Sequence, residues 1–287
     1  MANSAALMTK DMTHMHRLRL VMLGLAAAMA LALALRPTPQ SAPPRPVARV
    51  ETPAPPTLEP AAPAPAEAPA ADPRPALVAA IDAASDYRLF FDRLRLAFPS
   101  EYERVARAAA QEGAAFNIDA AVSEAVRGLR QARGLMAARA AGPALSRVFD
   151  MQLSVMRALD GQDKRLCVDF LYGGASDGLM AFSARNRALV ANLALAGLEA
   201  ISDGQIAKIE RGPASEQDFA ALEAALAARG LEKAEIEALL DGRTPEPPLD
   251  DARMCRSGQV YLETLGELPE DVRLRIYTLA IELMARG

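Results

Sequence analysis

Histidine, the side chain that titrates nearest neutrality and the commonest metal ligand, occurs in this chain only as His14 and His16. Both stand in Met12-Thr-His-Met-His16, where thioether and imidazole groups lie close together as they do in copper-binding tracts. The same stretch offers several start methionines of a leader, and no metal is assigned to it. Gly174-Ala-Ser-Asp-Gly178 matches the G-x-S-x-G form of a nucleophile elbow. That serine needs a histidine further along the chain to take its proton, and none follows. Ser176 is therefore expected to be a turn residue between two helices, and a dyad with Lys208 or Lys233 has no positive support. With two cysteines and no histidine beyond the leader, ordinary zinc sites are removed as well. A hydrolase built from carboxylates alone, with a residue such as Glu101 or Glu199, stays open in principle. Sugar sites lean on aromatic platforms, however, and the chain has no Trp and five Tyr. No catalytic residue and no cofactor is assigned.

The more specific pair is Cys167 and Cys255. Each falls on the apolar face of its predicted helix, Cys167 with Phe170 and Leu171, Cys255 with Leu262 and Leu265. In an exported protein two cysteines and no others invite a single disulfide. Closing a loop of about 89 residues would stabilise the fold by roughly 4 to 5 kcal/mol through chain entropy. The alternative is two buried thiols acting as small hydrophobes. The most basic part of the sequence is Arg127, Arg130, Arg133 and Arg139, with Arg104 and Arg107 nearby. At 100° per residue the four spread around the polar circumference of one helix and form no stripe. A solvated face accounts for them; an interaction surface for an acidic partner or anionic headgroups is the functional alternative.

Charge argues against nucleic acid as that partner. The chain carries a net charge of −4. From residue 76 to the end, 25 bases face 31 acids, and the excess sits in 196–287, with 10 bases against 18 acids. Counterion displacement needs the opposite balance.

The elements that must position these residues divide the chain into four stretches: 1–19, 20–35, 36–75 and 76–287. Residues 20–35 are 16 consecutive uncharged, mostly apolar residues bracketed by Arg17, Arg19 and Arg36. As a helix they reach about 24 Å, short of a hydrocarbon core of roughly 30 Å. Snorkelling arginines would complete an uncleaved anchor in the inner membrane. A cleaved signal is the alternative, with Ala32-Leu33-Ala34 as its small-x-small site and a secreted or soluble periplasmic product. Fourteen prolines crowd into residues 37–75. They remove backbone donors and fix φ, which predicts a disordered, semi-rigid Pro/Ala-rich linker of up to about 120 Å.

From residue 76 the apolar period stays near 3.6 and predicts an all-α, multi-helix bundle of about nine or ten helices. The expected spans are 76–97, 100–112, 118–140, 143–159, 163–172, 183–202, 216–229, 232–241, 250–265 and 270–285. Asn117 or Asp119, the Ser100–Glu103 capping box and a weaker box at Ser215 and Asp218 mark helix starts. Residues 188–198 are apolar all round and should form the central buried helix. The layout of apolar segment, spacer and distal domain resembles the general plan of tethered bacterial envelope modules, an architectural likeness that covers none of the folded domain. The leader, the spacer and the lack of catalytic residues lead to the expectation of a membrane-tethered envelope protein presenting a helical protein-binding, adaptor-type module in the periplasm to an envelope protein partner.

Overall fold

The computed structural model describes residues 72–173 and 176–286. The apolar segment at 20–35, the expected linker up to residue 71, the two histidines, and Gly174 and Ala175 of the G-x-S-x-G stretch lie outside the described residues; the last residues of the expected 36–75 linker are already helical, because the first helix starts at Arg74 with Pro75 in its first turn. Within the described residues the chain forms twelve α-helices and no strand. The all-α expectation holds, and the expected nine or ten helices become twelve because the predicted 76–97 helix is broken in two and a further helix over 177–185 lies mostly where none is predicted.

The first break separates α1 (Arg74–Ala83) from α2 (Arg88–Ala97) by a single 3-10 turn over Ser85–Tyr87. Ala84 leaves helical geometry at φ −131°, and Tyr87 turns inward until it is 1% exposed. Its hydroxyl donates to Asp119 Oδ1 at 2.8 Å. Burial of a large aromatic with a satisfied hydroxyl outweighs helix continuity there. α3 (Pro99–Glu112) starts on Pro99, whose fixed φ suits a first helical position. The expected capping box is therefore absent: Ser100 lies inside the first turn, and Phe98 at the N-cap supplies no side-chain acceptor.

α4 (Ile118–Ala137) is capped as expected by Asn117, whose Oδ1 accepts from the Ala120 N–H at 3.1 Å. α5 (Gly142–Asp160) and α6 (Lys164–Leu171) follow, the latter capped by Asp163. α7 (Asp177–Arg185) lies mostly in a stretch for which no helix is predicted, and the predicted 183–202 helix begins only at Arg187 as α8 (Arg187–Ala207), after an interruption at Asn186. The Asn186 side-chain amide donates to the Phe182 carbonyl at 2.9 Å, and its own carbonyl accepts from Leu189 and Val190. One asparagine thus ends one helix and begins the next. α9 (Glu216–Ala228) carries the predicted Ser215–Asp218 box, and α10 (Lys233–Leu240) a second one between Glu232 and Glu235. α11 (Asp251–Glu267) is capped by Asp250, and α12 (Glu270–Arg286) opens with Glu270 and Asp271 where acids favour the helix dipole.

The expected central helix is α8, buried on every side from Val190 to Ile201 except for a few positions. α2, α4, α5 and α7 pack around it, α12 closes against α4 and α5, and α11 lies across α5 and α6 while supporting the α9–α10 hairpin. One continuous core joins all of them. Among the described residues, no helix is long and apolar enough to cross a membrane.

Candidate functional site

Cys167 and Cys255 are joined in a disulfide with Cα atoms 5.6 Å apart, tying α6 to α11. Both residues are fully buried, as their apolar helix faces predicted. Ser176 serves as the N-cap of α7, its Oγ accepting from the Leu179 N–H at 3.4 Å. That is the turn role expected for it. Glu101 pairs with Arg104 on its own helix, and Glu199 lies 3.7 Å from Arg147.

The four arginines of α4 and its C-terminal turn do not share a surface. Arg127 is engaged by Glu124 one turn before it. Arg133 places its guanidinium 5.8 Å above the Phe98 ring, and Arg139 lies 3.8 Å from Glu210. Arg130 corrects the expectation outright, because it is 6% exposed and points to the core rather than solvent. The steps Val122, Val126, Arg130, Gly134 are four residues each, so the helix period itself carries Arg130 onto the apolar face.

Arg130 lines a cavity where α4, α5, α8 and α12 meet, and every other lining residue is apolar or glycine. The small residues Gly134, Ala137, Gly197, Ala200 and Ala285 leave the room. Water-sized space in it is about 30 Å³, within about 460 Å³ of loosely filled volume that is partly open to solvent. The Arg130 Nη1 is sealed from solvent and has no hydrogen-bond partner. Burial, with a contribution from the nearby Arg127 charge, pushes the Arg130 pKa below its ordinary value.

The two other charged side chains that are almost wholly buried among the described residues are satisfied. Asp218 accepts from Arg275 at 2.7 and 2.9 Å and from the Ser215 N–H and hydroxyl at 2.8 and 2.9 Å. Glu235 accepts from Arg253 at 3.0 and 3.1 Å, Ser257 at 2.7 Å and the Glu232 N–H at 2.7 Å. The arginine bonds hold Asp218 well below the usual carboxylate range and Glu235 down at about 2. Asp119 is lowered in the same way by Arg187, which meets it at 2.8 and 2.9 Å. A general acid needs a raised pKa, so these three act as fixed anions that brace helix ends.

A second concavity, a groove of about 750 Å³, runs along the α9–α10 hairpin. Ala220, Ala224, Ala227, Leu231, Ile236 and Leu240 contribute its apolar lining, and Glu223, Lys233, Glu237, Asp241 and Arg243 its charged groups. Among the described residues no cluster of His, Cys, Asp and Glu could hold a metal ion. No protein-family model, curated protein or solved structure matches this chain.

Proposed function

We propose that this chain is a membrane-tethered envelope protein that presents its helical domain, as an adaptor-type module, on the oxidising side of the inner membrane. The observation that carries the reading is the Cys167–Cys255 disulfide, because such bonds persist in the periplasm and not in a reducing cytosol. The apolar run at 20–35, read as the anchor, and the Pro-rich 36–75 stretch, read as the spacer, supply attachment and reach. The α9–α10 groove is the contact surface for a partner's amphipathic helix. Its alanine floor suits close helix approach, and seven acids against two bases over 216–241 suit basic flanks on that helix. Arg133 and Arg139 are the exposed arginines left to meet an acidic partner.

Fractionation of cells expressing the full chain, with protease added to intact spheroplasts and thiols counted after denaturation without reductant, tests this. The expected result is full-length protein in the membrane pellet, a domain open to external protease and no reactive thiol. Full-length protein in the cytosolic supernatant with two reactive thiols would overturn it, and a mature N-terminus at Leu35 would assign the cleaved, soluble form instead.

A further inference from the structure

Cys255 is fully buried, yet two polar side chains meet its sulfur. Asp160 Oδ1, on the last residue of α5, lies 3.2 Å from Sγ, and Gln259 Nε2, one turn along α11, lies 3.4 Å from it. The Gln259 amide can donate to the sulfur in either redox state. A carboxylate can only accept, and a disulfide sulfur carries no hydrogen to give it. The oxidised bond therefore sets sulfur lone pairs against an anion, whereas a Cys255 thiol would donate its S–H to Asp160 and accept from Gln259. These surroundings suit the thiol better than the disulfide. Lys164 Nζ, 2.6 Å from the same Oδ1, holds the carboxylate in place and offsets part of its charge.

We propose that Asp160 makes the Cys167–Cys255 disulfide a redox-responsive link between helices. A dithiol supplies two electrons and two protons: the S–S bond breaks, two thiols form, and the dithiol closes to its own disulfide. In the oxidised chain α11 is tied covalently to α6. In the reduced chain the Cys255 thiol holds α11 to the end of α5 through Asp160. That hydrogen bond exists only after reduction, so it draws the equilibrium toward the thiols. It is worth about tenfold, the low end for a charged acceptor because S–H is a weak donor.

The test equilibrates the full chain, in dodecyl maltoside micelles, with dithiothreitol buffers of graded oxidised-to-reduced ratio, long enough for the buried bond to exchange through local opening. Thiols are then counted by alkylation and mass. Asp160→Asn keeps the shape and removes the charge, and should shift the equilibrium about tenfold toward the disulfide, a potential about 30 mV more negative. Lys164→Met leaves the carboxylate without its counter-charge and should shift it toward the thiols. Infrared spectroscopy of the Cys167→Ala chain, which holds a single thiol, gives an independent reading: the Cys255 S–H stretch should lie lower than in the Cys167→Ala, Asp160→Asn chain. A potential in Asp160→Asn that is unchanged or less negative, or one S–H frequency with and without the carboxylate, would overturn the proposal. If Asp160→Asn does not fold, Lys164→Met decides, and the absence of a shift toward the thiols overturns it.

Discussion

Glu235 shows how a single side chain sets the pH response of the molecule. Its carboxylate is buried, yet four donors from Arg253, Ser257 and the Glu232 backbone replace the water it lost. The first of these, the Arg253 pair, holds the group at about 2, below its ordinary 4.5. A carboxyl whose folded pKa is depressed contributes its stability above the unfolded value and loses it as pH falls through the folded one. From 4.5 down to about 2 the folded state is therefore destabilised, by about 3 kcal/mol for this residue alone. Asp218 is lowered in the same direction by Arg275 and adds to the loss. Glu235→Gln should cost about 3 kcal/mol at pH 7, the low end for a broken buried pair, because Arg253 is partly exposed and keeps Glu232 at 2.7 Å. It should also flatten the acid limb. Urea denaturation of both proteins at pH 7 and pH 3 measures this, and wild-type stability that does not fall between the two would refute the account.

At the scale of elements, helix contacts are set by small residues as much as by large ones. A Cβ on Gly204 of α8 would stand 1.8 Å from the Met136 carbonyl oxygen and 3.1 Å from the Ala140 nitrogen. Backbone cannot step aside as a flexible side chain can, so Gly204→Ala should cost about 3 kcal/mol or more by prying α8 from the end of α4. Gly266 sits in α11 with nothing within 4 Å of its notional Cβ. Gly266→Ala should therefore stabilise by about 0.5 to 1 kcal/mol, from helix propensity alone. Thermal unfolding of the two variants should move in opposite directions, and a neutral Gly204→Ala would deny the close approach. The helices themselves were legible from the 3.6 period and their caps, as at Asn117, Ser215 and the central 188–198 run. The breaks were not. Tyr87 leaves its helix for a hydroxyl bond to Asp119, 32 residues away, and no local pattern encodes that partner. Asn186 carries a local signal, a good capping residue between Arg185 and Arg187 just before the apolar run, which marks the true helix start. Arg130 was misplaced for a related reason: its charge grouped it with Arg127 and Arg133, while its four-residue step from Val126 put it on the core face.

For the molecule as a whole, the disulfide acts on the segment that holds the central helix. The chain between Cys167 and Cys255, 88 residues apart, contains the central helix α8 and the whole α9–α10 hairpin. Folded, these elements are held by packing that a broken S–S bond leaves in place, since both cysteines are already buried among apolar neighbours. The effect of reduction therefore falls on the unfolded chain, which regains the freedom of a loop of this length, worth about 4 to 5 kcal/mol in the chain-entropy account. Against a total of roughly 5 to 15 kcal/mol for a typical domain, that is the difference between a stable and a marginal fold. In a reducing compartment the same sequence would hold its shape poorly, which is why the bond and the proposed export belong together. Melting the full chain with and without reductant should show the midpoint falling by about 8 to 20 °C on reduction for a domain of this size. The Cys167→Ala, Cys255→Ala double variant should melt with the reduced form and ignore the reductant. Oxidised and reduced protein melting together would mean that packing alone holds the α8 segment, and the bond would then lend no support to a periplasmic location.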